Sequence, residues 1–156
     1  MALSIQRTPG ALLRFRRPTG VYQQTFRTAL DRLPVFVAAL LAGSPPITAG
    51  TVTVKAVVFE PRHLAAFLAM HGLPQEVGPE TTVTATNAEE VNGLLVATLA
   101  DWLDFYFLPK PNRFLVYADH DEYTTVFSAR RTAVSRIATA MGVAGIAEVP
   151  GFSREA

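Results

Sequence analysis

Leu115-Val116-Tyr117-Ala118-Asp119-His120-Asp121-Glu122-Tyr123-Thr124-Thr125-Val126 carries the clearest structural signal in the chain. Two apolar segments rich in β-branched and aromatic residues flank a short polar run. That is the pattern of a β-hairpin with a charged tip. Strands joined by so short a loop are antiparallel. The hairpin therefore points to an α+β fold built on an antiparallel or mixed sheet.

Arg113–Ala118 and Tyr123–Phe127 form the hairpin strands, and Pro109 and Pro111 end the element before them. That element reads as the longest helix, with Val91, Leu94, Leu95, Leu99, Trp102, Leu103 and Tyr106 as its apolar stripe. Thr86-Asn87-Ala88-Glu89 matches a capping box at its start. After the hairpin, Ser128 caps a final helix to Met141, with Val134, Ile137, Ala138 and Met141 inward and Gly142 as its stop. The tail 143–156 reads as an irregular extension or a short strand around Ala147–Val149.

Toward the N-terminus, Thr81–Thr86 alternates as a strand with one solvent face, placed at a sheet edge. Thr51–Phe59 is the strongest strand, with Val52, Val54, Ala56 and Val58 on one face. Pro61 opens a short helix through Met70, stopped by Gly72. Tyr22, Phe26, Ala29, Leu30 and Leu33 fall at helical spacing after a Pro18-Thr19-Gly20 break, with Thr19 as cap. Pro34 either kinks this helix or opens a second one to Ala42, which Gly43-Ser44-Pro45-Pro46 stops. Residues 1–17 form a basic arm in which Ala11–Arg16 is a short strand or an ordered segment. The expectation is a single α+β domain over 1–156, with about four mainly antiparallel strands and helices packed on one face.

The composition narrows function by exclusion. A chain of 156 residues with 49% hydrophobic content holds a real core and is not disordered. There is no cysteine, hence no disulfide framework, thiolate metal site or cysteine nucleophile. A net charge of +1 gives no global case for nucleic acid or an anionic membrane. The start lacks a continuous apolar segment of secretory type, and the longest apolar runs are too short or too interrupted to span a bilayer. These features predict a soluble, cytoplasmic protein.

Charge is nonetheless segregated. Arg7, Arg14, Arg16, Arg17, Arg27 and Arg32 crowd the first 32 residues, whereas 76–104 carries Glu76, Glu80, Glu89, Glu90, Asp101 and Asp104 with no cation. The two regions either face each other or offer a basic face to an acidic partner.

The hairpin tip concentrates side-chain chemistry, since Asp119, His120, Asp121 and Glu122 are metal- or proton-handling types. The plain alternative is a wet turn in which Asp bonds nearby amides. His63 and His71, about two turns apart on a helix, lack the spacing of a zinc pair. Arg130 and Arg131 at the last helix can hold phosphate or pair with Asp121 or Glu122. Arg14, Arg16 and Arg17 around Phe15 resemble a basic–aromatic nucleic-acid mixture, but the stretch is short. Trp102, Phe105, Tyr106 and Phe107 make a helix end that is apolar all round, with Trp102 and Tyr106 on its core face.

No phosphate-binding glycine loop, dinucleotide fingerprint, nucleophile elbow or metalloprotease helix is present. The chain thus reads as a non-catalytic, bacterial-type interaction domain of immunity, inhibitor or adaptor kind, binding a protein partner or a second copy of itself. Trp102, Phe105 and Phe107 are the expected apolar anchors. Asp119, His120, Asp121 and Glu122 are the expected charged rim. No catalytic residue, metal or cofactor is assigned, and neither nucleic acid nor membrane is expected. The competing reading is a small metal- or ligand-binding enzyme using the Asp119–Glu122 tip.

Overall fold

The computed structural model describes residues 3–15, 22–42 and 46–154. Arg16 and Arg17 of the basic arm, the Pro18-Thr19-Gly20 break and the stop at 43–45 lie outside these residues.

The chain runs β1 (Ser4–Arg7), a 3-10 turn (Ala11–Phe15), β2 (Tyr22–Arg27), a second 3-10 turn (Leu30–Arg32), α1 (Leu33–Ala42), β3 (Ala49–Ala56) and α2 (Arg62–Met70). It continues through β4 (Thr81–Ala85), α3 (Ala88–Ala100), β5 (Asp104–Lys110), β6 (Leu115–Ala118), β7 (Tyr123–Ser128) and α4 (Arg131–Val143). The class is α+β as expected, but among the described residues the sheet has seven strands, not about four, in the order β1-β4-β3-β5-β6-β7-β2. Every pairing is antiparallel. Among the described residues no helix is long and apolar enough to cross a membrane.

The hairpin forms as its sequence demands, with Val116 opposite Val126 and Ala118 opposite Thr124. α2 sits where the sequence puts it, and β3 forms but ends at Ala56, leaving Val58 and Phe59 outside the strand and exposed. Of the two roles open to Pro34, the structure takes the second. It lies in the first turn of α1, where a missing N–H leaves no bond unmade.

Three elements depart from expectation. Tyr22–Arg27 is the edge strand β2, not a helix, because pairing with β7 from Tyr22↔Ser128 to Arg27↔Tyr123 outweighs the helical spacing of Tyr22 and Phe26. β4 is not an edge, since the N-terminal strand β1 covers it through Ile5↔Val83. The long helix stops at Ala100, and Asp104–Lys110 is the central strand β5 between β3 and β6. The helix cap is also one residue later than the box suggests. Asn87 accepts from the Glu90 amide at 2.9 Å, and Glu90 reaches back to the Thr86 amide. That hydrogen bond holds the Glu90 carboxyl below its ordinary pKa.

At the far end of the chain, Ser128 is the last residue of β7, and α4 opens after Arg130. Gly142 lies inside α4, and the left-handed stop is Gly145 at φ +75°. In the tail, Glu148 bridges to Phe26.

The helices cover one face of the sheet. α1 packs on α3 and α4, α2 packs on α3, α3 lies on β3 and β4, and α4 lies on β2 and β7. Strand alternation sends Val52, Val54, Val83, Phe105, Phe107, Val116 and Val126 into this layer, all buried. The opposite face carries Thr53, Tyr106, Tyr117 and Thr125, and among the described residues no α-helix packs on it. Two short pieces shield it instead. Phe15 stacks on Tyr106 at 4.4 Å, and the C-terminal Arg154 guanidinium lies 4.5 Å above the Tyr117 ring.

Candidate functional site

At one end of the sheet three connections converge: β3 to α2, α3 to β5, and β6 to β7. Their convergence follows from register, because Asp104 pairs with Ala56 and Phe105 with Ala118.

The α3–β5 connection is built around two carboxylates. Asp101, the C-cap of α3, is buried and accepts from the His63 amide at 2.9 Å, the His63 Nδ1 at 2.9 Å and the Leu64 amide at 2.7 Å. α2 has no side-chain cap of its own, so Asp101 supplies one from another helix. Asp104, also buried, repeats the arrangement on the hairpin tip, accepting from the His120 amide at 2.8 Å and its Nδ1 at 2.9 Å.

Between these fixed points Trp102 takes φ +55°. A bulky residue in the left-handed region costs about 1–2 kcal/mol, and a glycine usually holds this position after a helix. The side chain is 39% exposed and meets Phe59 edge-on at 5.3 Å. Phe59 is itself 50% exposed, and Val58 beside it is also exposed.

The tip is ordered by its own carboxylate. Asp119 Oδ1 accepts from the Asp121 and Tyr123 amides, and Oδ2 accepts from Arg154 at 2.8 Å. Arg154 also donates to Thr125 Oγ1 and the Tyr123 carbonyl, while its backbone is clasped by Gln23. Asp119 is therefore spent inside the fold. Asp121 is exposed at the tip and Glu122 lies beside it, their carboxylates without a hydrogen bond among the described residues. The wet-turn reading accounts for Asp119 well.

The expected anchors divide. Trp102 is presented to solvent two residues before Asp104, which holds the tip, but Phe105 and Phe107 are completely buried and cannot anchor a partner. The reason is periodicity. Once the segment is a strand, 105 and 107 share the helix-covered face and 106 the other, the reverse of the helical assignment. The exposed apolar residues near Trp102 are instead Phe59, which meets its ring, and Val58. Sequence reasoning missed them because they end a β-branched run that read as a continuous strand.

The remaining charged residues are dispersed. His71 is the C-cap of α2 and packs on Phe67, away from His63. Arg131 lies over the Tyr22 ring at 5.1 Å, and neither it nor Arg130 pairs with Asp121 or Glu122. Among the described residues, the two charge-segregated regions meet in an ion pair at Arg7–Glu80, 3.5 Å. Among the described residues, no group of three or more histidine and carboxylate side chains is placed to hold a metal ion.

The chemistry available is accordingly limited. Burial pushes the Tyr106 and Tyr117 hydroxyls above their ordinary pKa. Among the described residues, no hydroxyl nucleophile shares a hydrogen bond with His120. The Asp104 hydrogen bond raises the His120 pKa above 6.5, aided by the charges of Asp104, Asp121 and Asp119 against partial desolvation.

A raised folded pKa gives stability that is complete below the unfolded value and lost as pH climbs through the folded one. The melting temperature of the native protein, relative to a His120→Gln variant, should therefore rise on acidification from about pH 8 toward 6.5. Thermal melts at several pH values measure it. Parallel curves for the two proteins would show that the Asp104–His120 bond carries no charge-linked stability.

Compared with known proteins, the chain matches no family model, no curated protein sequence and no solved structure.

Proposed function

We propose that the chain is a non-catalytic interaction domain that binds a protein partner at this end of the sheet. Trp102, Phe59 and Val58 are the apolar anchors, and Asp121, Glu122 and His120 form the polar rim. The observation that carries the reading is Trp102 itself. It is held half-exposed at φ +55° by a backbone fixed on both sides through Asp101 and Asp104. Strain kept in place by its surroundings marks functional positions, and an aromatic anchor with a charged rim is the usual anatomy of an interface. The enzyme alternative has less to support it, because Asp119 is engaged by Arg154 and, among the described residues, no hydroxyl nucleophile hydrogen-bonds His120 and no group of three histidine and carboxylate side chains is placed to hold a metal.

Trp102→Gly separates folding from binding, since glycine accepts positive φ without strain. The melting temperature should stay within about 4 °C of the native protein, because relief of the backbone strain offsets removal of the indole from Phe59. Affinity for the partner recovered from the native cell should fall about 30-fold or more, with Phe59→Ser acting in the same direction. Size-exclusion chromatography identifies a second copy as the partner if the same substitutions dissolve a dimer. Unchanged affinity in both folded variants would remove this surface from consideration.

A further inference from the structure

The opposite end of the sheet, on its helix-free face, holds a cleft of about 710 Å³. Its apolar walls include Phe15, Leu115 and Phe127, and its charged groups are Arg14, Arg113 and Arg130. Among the described residues, no acidic side chain lines it and none of the three arginines makes an ion pair.

The site is constructed by the fold. Stacking on Tyr106 with planes 9° apart fixes Phe15 and the 3-10 turn that carries Arg14. The buried Ser128 hydroxyl donates to the Arg113 carbonyl at 2.8 Å and accepts from the Arg130 amide at 3.1 Å. One side chain thus draws two cationic residues from separate loops to the same rim. α4 starts there as well, and its N-cap Arg130 makes no side-chain cap, so the positive end of the helix adds to the cationic rim. Like charges gathered without a counter-charge repel, and an anion relieves that repulsion while guanidinium forks bind it. The volume lies within the roughly 300–1,000 Å³ of small-molecule sites.

We propose that this cleft binds a small organic anion, a phosphate or carboxylate carried on an apolar body. The anionic group meets Arg113, Arg130 and Arg14, and the apolar body lies against Phe15, Leu115 and Phe127. The proposal does not depend on the Trp102 surface, which occupies the other end of the sheet.

The test is calorimetric titration of the full chain with four probes: 1-naphthyl phosphate, 1-naphthoate, 1-naphthol and inorganic phosphate. At least one of the two naphthyl anions should bind with a Kd below about 1 mM, more weakly as salt is added. Naphthol and inorganic phosphate should each bind at least about tenfold more weakly, because each lacks one half of the ligand. The stronger of the two anions distinguishes a phosphate from a carboxylate ligand. The double variant Arg113→Gln/Arg130→Gln should lose about tenfold or more, with Arg14→Gln as an independent single change. All three side chains are solvent-exposed, so a thermal melt should show each variant folded. Trp102→Gly should bind the probe as the native protein does. Binding of naphthol equal to that of the anions, no loss in the arginine variants, or no binding of any probe would each overturn the proposal.

Discussion

Phe105→Ala is expected to destabilise the fold by about 3–5 kcal/mol, lowering the melting temperature by about 10 °C or more. Phe105 is completely buried on the central strand β5, opposite Val54 of β3 and Ala118 of β6. It belongs to the largest side chains of the core. Truncation removes the transfer energy of the ring and leaves a cavity that two flanking strands hold open. Against a total stability of about 5–15 kcal/mol this is a large fraction. Urea unfolding measures it. A cost below about 1 kcal/mol would mean that the ring is not in the core, and would restore Phe105 as a surface anchor. The same number guards against misreading binding data, because any affinity lost in this variant follows from unfolding and not from a missing contact.

Asp101→Ala should cost about 2–3 kcal/mol, although no apolar contact defines its role. Its carboxylate satisfies the His63 and Leu64 amides at the start of α2 and faces the positive end of that helix. Removing it leaves two amides without partners in a largely dry environment, which is costlier than the mean worth of a hydrogen bond. Asp101→Asn should fall between, because its amide group keeps one acceptor but turns N–H toward an N–H. Equilibrium unfolding of the pair checks this. An alanine variant within about 0.5 kcal/mol of the native protein, on the scale of ordinary surface substitutions, would show that α2 needs no cap from α3. In that case Trp102 would also lack one of its two supports.

Much of the architecture is legible in particular residues. Val116 and Val126 across a polar tip announce the hairpin, and the alternation of Val52 and Val54 announces β3. What escapes is the segment from Trp102 to Lys110. Its aromatic residues satisfy the helical period and the strand period equally, and the signal that normally decides, a glycine after the helix, is replaced by tryptophan at positive φ. That one ambiguity hides the central strand and inverts the assignment of Phe105 and Phe107. β2 escapes for a related reason. Its pairing with β7 is a long-range interaction, and the sequence near Tyr22 carries a helical spacing of its own.

The site is legible in part. Trp102 and the tip stand out by composition. The partnerships of Asp101 with His63, Asp104 with His120 and Asp119 with Arg154 join residues far apart in the chain, and no local pattern marks them. The three-arginine cleft is hidden in the same way, since Arg14, Arg113 and Arg130 come from separate elements that only the folded sheet and Ser128 bring together.

Photo-cross-linking in the native cell, from a reactive amino acid at position 59 beside Trp102, locates the partner on the surface. Position 143 serves as the comparison, being apolar, more exposed and at the end of α4. Binding at the Trp102 end predicts one dominant protein adduct from position 59, abolished by Trp102→Gly, and none from position 143. An adduct from position 143 with none from 59, or one from 59 that persists in Trp102→Gly, would contradict the proposal that this domain meets its partner there.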